Sequence, residues 1–153
     1  MLTPTFNFDY LDQRHLTEGQ IVDINALLKQ LTSKPKEVSM ANLKEVLGQS
    51  GVFILTVSNL EGKIIGMATL AVRSLLLNRT AIIGDVVVDK EYRGMKLGKK
   101  IMEALVRAAK SEEVSFISLT SHPDRKEANY LYQNLGFKLI GKVGESNYYR
   151  LPL

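Results

Sequence analysis

The period of the hydrophobic pattern changes several times along the chain, and each change marks an element. Phe6 to Tyr10 reads as a short first strand whose end is blurred by Asp9 and Asp12. Thr17 then caps a helix in which Ile21, Ile24, Leu27, Leu28 and Leu31 form one apolar stripe. Lys34-Pro35 ends it, because the residue before a proline avoids helical backbone. Ser39 caps a shorter helix with Leu43, Val46 and Leu47 inward and Gly48 at its close. The pattern becomes strand-like over Val52 to Ser58 and Lys63 to Arg73, separated by the turn composition Asn59-Leu60-Glu61-Gly62. Asn78-Arg79 reads as a second turn, and the β-branched run Ile82 to Val88 as a buried strand.

Helical spacing returns at Leu97, Ile101, Ala104, Leu105 and Ala108, predicting a helix over Lys96 to Lys110. A strand follows at Val114 to Thr120, and a helical crossover makes it parallel to the Ile82 to Val88 strand. Asp124 or a neighbour opens a last helix with Ala128, Leu131, Tyr132 and Leu135 on one face and Gly136 at its end. Two further strands, about Phe137 to Val143 and Ser146 to Leu151, complete the series. The order β-α-α-β-β-β-α-β-α-β-β implies an α/β (α+β) fold. Its sheet should be mixed, mostly antiparallel, with six to seven strands and about four helices. Repeats, low-complexity tracts and linkers are absent, so residues 1–153 read as a single domain.

Composition narrows the chemistry. With 153 residues and 45% apolar content the chain is long enough for a proper core. The absence of Cys excludes disulfides, Cys-ligated zinc and a thiol acyl-enzyme. His15 and His122 have no imidazole partner at helical spacing, so no metal is expected. The start MLTPTFNF has no signal-peptide pattern, and the longest apolar run, Ile64 to Val72, is too short for a bilayer. The expectation is a cytoplasmic protein without a membrane partner.

The net charge of +4 raises nucleic-acid binding as a rival, but the position of the basic residues says more than their number. Lys90, Arg93, Lys96, Lys99 and Lys100 cluster against Glu91 alone, on a Gly-bearing loop between a strand and a helix. A helix start has N–H groups without partners and a positive dipole end, so this loop is an anion site. Aromatic residues do not interleave with the base near Arg93, which disfavours nucleic acid. A nucleoside-triphosphate P-loop needs four residues between its Gly and its Gly-Lys pair, then a hydroxyl residue. Gly94 and Gly98 enclose three, and Lys100 stands where the hydroxyl belongs. The dinucleotide pattern G-x-G-x-x-G is absent as well.

The loop resembles the pyrophosphate loop of the GNAT superfamily of acyl-CoA-dependent N-acyltransferases. That pattern is Arg or Gln, two residues, Gly, one residue, then Gly or Ala. Arg93, Lys96 and Gly98 fill its places, with Lys96 where the family has Gly. A second stretch, LTSHPDRKEANYLYQNLGF from Leu119, is similar to the other GNAT signature at Ala128, Leu131, Tyr132, Gly136 and Phe137. The resemblance covers residues 50 to 153 well and is compatible with the rest.

The resemblance implies acetyl-CoA as co-substrate. It implies a coenzyme site of Arg93, Gly94, Met95, Lys96, Leu97, Gly98 and Lys99, with Val86, Val87 and Val88 acting through their backbone and with Arg125 and Asn129 nearby. Arg125 could equally meet a phosphate or cap the surface. Tyr132 is implied as the acid that protonates the departing thiolate. Asp85 is the candidate base. A hydrogen bond from Asp85 to a neighbouring strand, or a water chain in its stead, stays open. A Lys at position 96 follows the loop without strain only at negative φ, as expected if it lies in the first helical turn. With no Cys and no Ser elbow, direct attack of an amine in a ternary complex is favoured. In the family the first two helices line the acceptor site, and the acceptor stays open between small-molecule and protein amines. A homodimer is compatible with all of this. The alternatives are a catalytically weak coenzyme A sensor module and a basic nucleic-acid-binding domain.

Overall fold

A computed structural model of the protein describes residues 5–153. Strand β1 (Asn7–Tyr10) is followed by helices α1 (Glu18–Leu31) and α2 (Met40–Gly48), then by strands β2 (Val52–Ser58), β3 (Ile64–Ser74) and β4 (Arg79–Val88). Helix α3 (Leu97–Ser111), strand β5 (Phe116–Ser121), helix α4 (Lys126–Asn134) and strands β6 (Lys138–Val143) and β7 (Ser146–Pro152) complete the fold. The expected element order holds throughout. Both early helices start with capping boxes, Thr17 with Gln20 and Ser39 with Asn42, which satisfy two otherwise free N–H groups each.

The seven strands form one sheet in the order β1-β2-β3-β4-β5-β7-β6. Every neighbouring pair is antiparallel except β4 and β5, which run parallel as the helical crossover requires. Helices cover both faces. On one, Ile101, Met102 and Leu105 of α3 and Tyr132 of α4 join Leu70, Ile83 and Ile117. On the other, Ile21, Ile24 and Leu27 of α1 and Leu43 of α2 pack on Ile54, Met67 and Val87. Val87 therefore faces one core, while Val86 and Val88 pack against the other. A strand buried on both faces reads as a continuous apolar run, which is why β4 was visible in the sequence.

Helix α2 closes at Gly48 as expected, and Gly51 then turns the chain into β2. Its φ is +85°, and an added Cβ would stand 2.7 Å from the Val72 carbonyl oxygen. One turn differs from expectation: the β3–β4 turn lies ahead of Arg79, which already belongs to β4. It carries Leu75, Leu76 and Leu77, and Leu76 is fully exposed. Arg79 braces this hairpin by donating to the Glu112 carbonyl (2.7 Å), the Glu112 carboxylate (2.6 Å) and Ser74 Oγ (2.6 Å).

Candidate active site

Two local departures from sheet regularity create the site. The parallel pairing of β4 with β5 is confined to Ala81–Ile117 and Ile82–Ser118, so the strands diverge beyond it. On the other side of β4, Met67 pairs with Val87 but Thr69 pairs with Gly84. Asp85 and Val86 thus oppose the single residue Ala68, a β-bulge in which Asp85 takes φ 54°. The bulge puts Asp85 and Val86 at the boundary of two clefts, one on each side of the sheet's centre.

The first cleft, of about 780 Å³, lies between diverging β4, the start of α3 and the start of α4. Among its lining residues are the bases Arg93, Lys96, Lys99, Arg125 and Lys126, against the acids Asp124 and Glu127. Two guanidinium groups already meet strand carbonyls there. Arg93 Nε donates to Val88 O at 3.1 Å, and Arg125 donates to Val86 O at 3.3 Å. Arg125 thereby ties the N-cap of α4 across the cleft to the central strand.

Helix α3 enters this cleft without a side-chain cap. Its first internal bond runs from Lys100 N–H to the Lys96 carbonyl at 3.2 Å, so the amides of residues 96–99 have no partner in the helix. Gly94 has φ +84° and an added Cβ would meet nothing within 4 Å, so the backbone stands open there. Gly98 faces α4, with Leu131 Cδ2 3.4 Å from where its Cβ would be.

Lys96 corrects the expectation of negative φ. It is the N-cap rather than the first helical residue, with φ 62° and ψ 22°. The chain must reverse from the short 3-10 turn at Lys90–Tyr92 into α3, and the left-handed step that completes the reversal falls on residue 96 itself. A residue with a Cβ is strained there, whereas Gly is not.

Of the other residues singled out from the sequence, Val86, Val87, Val88, Gly94, Leu97 and Tyr132 also line this cleft. Met95 is 43% exposed and Asn129 is buried, and neither lines it. Asn129 is held by its neighbours: its amide donates to the carbonyls of His122 (2.9 Å) and Arg125 (2.7 Å), and its Oδ1 accepts from the Tyr149 hydroxyl (2.7 Å). It therefore fixes the loop that carries Arg125. Tyr132 packs edge-on against Phe137 and Tyr149 and is 2% exposed, so what little of it meets solvent does so in the cleft. Burial pushes its hydroxyl above the ordinary tyrosine value of 10.0; the Arg125 guanidinium opposes the shift and Tyr149 adds to it. The group is accordingly a protonated donor near neutrality.

The second cleft, about 660 Å³, lies between α1, α2 and the sheet. Asp85 lines this one, exposed, with its Oδ2 accepting the Thr69 hydroxyl at 2.9 Å. Leu31 lines both clefts, so the end of α1 separates them. Thr69, Met67 and Leu31 escaped the sequence reading, since each looks like an ordinary core or strand residue until the bulge brings Asp85 beside them. Among the described residues no group of three or more His, Asp or Glu side chains is placed to hold a metal ion. No described helix is long and apolar enough to cross a membrane.

A seven-stranded mixed sheet that splays beside an uncapped, basic helix start defines the N-acetyltransferase fold. The PaiA N-acetyltransferase of Thermoplasma acidophilum, solved in complex with coenzyme A, shares it at a TM-score of 0.78. It has 14% identity, with 97% of this chain and 99% of that one covered. Residues 21–137 match the Acetyltransferase (GNAT) family, and the chain belongs to that family. It is similar to the glucosamine 6-phosphate N-acetyltransferase of Trypanosoma brucei brucei, with 28% identity over 84% of this chain and 89% of that protein. It is also similar to the chloroplastic GCN5-related N-acetyltransferase 2 of Arabidopsis thaliana, with 45% identity over 51% of this chain. That match spans 28% of the Arabidopsis protein's length.

Proposed function

We propose that the chain transfers an acetyl group from acetyl-CoA to an amine by direct attack in a ternary complex. The observation that carries this reading is the divergence of β4 from β5 directly beside the uncapped, basic start of α3. The residues suit the donor: free amides at 96–99 and the cations Arg93, Lys96, Lys99 and Arg125 for its phosphates, and at Val86 to Val88 a strand edge that β5 does not cover, whose Val86 and Val88 carbonyls Arg125 and Arg93 would release to its amide-bearing arm. The thioester supplies an activated acyl carbon when bound.

The chain's own residues then divide the proton work. An alkyl ammonium has a pKa of about 10.4 and must lose a proton before it attacks. Asp85 receives that proton on the acceptor side of β4. Tyr132, on the opposite side, gives its proton to the departing sulfur as the new C–N bond forms and the C–S bond breaks. Lys96 adopts the left-handed conformation open to Gly, so its presence leaves the path of the loop intact and gives no support to an inactive sensor. Glucosamine 6-phosphate, named for the trypanosomal relative, is one acceptor to include in a panel.

The test combines calorimetry with acetyl-CoA and turnover of an amine panel by wild type and Tyr132→Phe. Acetyl-CoA should bind both proteins alike, while turnover by the variant falls by ~100-fold or more. Rates within twofold of wild type would remove Tyr132 from the mechanism, and absence of acetyl-CoA binding would remove the transferase reading.

A further inference from the structure

We infer that the acceptor is a primary amine carried on an apolar body, and that the cleft beside Asp85 takes that body; this rests on the transferase reading above. The two clefts differ in chemistry. Where the first is lined by five bases and two acids, the second has Lys34 and Lys36 offset by Glu37, Glu45 and Asp85, and no Arg. Lys34, Lys36 and Glu37 sit exposed on the α1–α2 loop, so opposite charges alternate at the rim rather than converging on an anion. A phosphorylated acceptor would find no cradle there.

Below the rim the walls are apolar. Leu28 and Leu31 come from α1, Val38 and Leu43 from the following loop and α2, and Ile54 and Met67 from the sheet, with Val46 at the outer edge of α2. The volume of about 660 Å³ is that of a site for a small organic molecule. One polar feature lies on the sheet side of this slot, the Thr69–Asp85 pair. The Thr69 hydroxyl occupies Asp85 Oδ2, which leaves Oδ1 to accept an amine N–H. Since Val86, the next residue, lines the donor cleft, an amine held at Asp85 is beside the boundary between the two clefts. An apolar body with a terminal amine matches this sequence of apolar wall, carboxylate and boundary. A polyamine has no such apolar body to bury, and its second charge would find carboxylates only at the exposed rim, at Glu37 and Glu45.

The test uses the full chain and an n-alkylamine series from ethylamine to hexylamine, with spermidine and glucosamine 6-phosphate as polar comparators. Calorimetry of each amine with the coenzyme A complex reads the slot independently of turnover. Affinity should rise about threefold to fourfold per methylene and exceed that of both comparators. Val46, 37% exposed, tolerates replacement without loss of core. Val46→Ser should weaken hexylamine by about fourfold or more while leaving acetyl-CoA affinity unchanged. A flat series, or preference for either comparator, overturns the inference while the transferase reading stands. Hexylamine that binds as expected but is never acetylated instead counts against the transferase reading.

Discussion

At the scale of single residues, the site is built from two positions that the chain holds in costly conformations. Asp85 and Lys96 both have positive φ, and each sits where the backbone must turn out of regular structure. Such strain persists only where surrounding packing over-determines it. At Lys96 the cost is separable from the chemistry, because Gly reaches the same φ freely. Lys96→Gly relieves ~1 to ~2 kcal/mol of strain and loses part of it to the greater freedom of Gly in the unfolded chain. The expected net gain is up to about 1 kcal/mol in urea unfolding. Acetyl-CoA affinity should be retained with a slightly shallower salt dependence, since one screened cation is removed. A destabilised variant would show that residue 96 is not strained. The left-handed step was not legible in the sequence: Lys at a loop–helix junction is equally at home as a first-turn residue, and only the reversal after Tyr92 decides between the two.

Among the elements, α1 and α2 were legible from their caps Thr17 and Ser39 and β4 from its apolar run, whereas the cleft they enclose together was not. Ile82 to Val88 is apolar but for Asp85 and β-branched at most positions, with Val87 facing one core and Ile83, Val86 and Val88 the other. The basic, uncapped start of α3 was legible for a simpler reason, since its loop and helix are contiguous. The slot beside Asp85 was not, because its walls come from α1, α2, β2, β3 and β4 and exist only once the bulge sets the register of β4 on β3. The loop of the α1–α2 arm that frames it is closed by one side chain. Asn25 donates to the Val38 carbonyl at 2.9 Å and accepts from the Val38 amide at 2.8 Å, closing the loop between the helices. Asn25→Ala removes both bonds and leaves two partly buried backbone groups to find water. It should cost ~1 to ~3 kcal/mol in chemical unfolding and speed tryptic cleavage after Lys36. Unchanged cleavage would show that the arm is held by its apolar contacts alone.

For the molecule as a whole, the packing around Tyr132 couples stability to alkaline pH. Because burial raises its hydroxyl above 10.0, the folded state keeps a proton there that the unfolded chain releases. The contribution is fully present below about pH 10 and declines as pH rises toward the raised value. Thermal melts from pH 9 to pH 11 should therefore fall more steeply for wild type than for Tyr132→Phe, and parallel curves would contradict the assignment. A second property belongs to the outline of the molecule rather than its interior. The braced β3–β4 hairpin keeps Leu76 and Leu77 in water, at 103% and 93% exposure, on a tip fastened through Arg79 to the end of α3. A tip braced at its base in this way holds its leucines away from the core, where an apolar matrix can reach them. Sulfate strengthens contacts of that kind. The chain should thus be retained on a phenyl resin in ammonium sulfate, and Leu76→Ser with Leu77→Ser should elute at higher salt with an unchanged melting temperature.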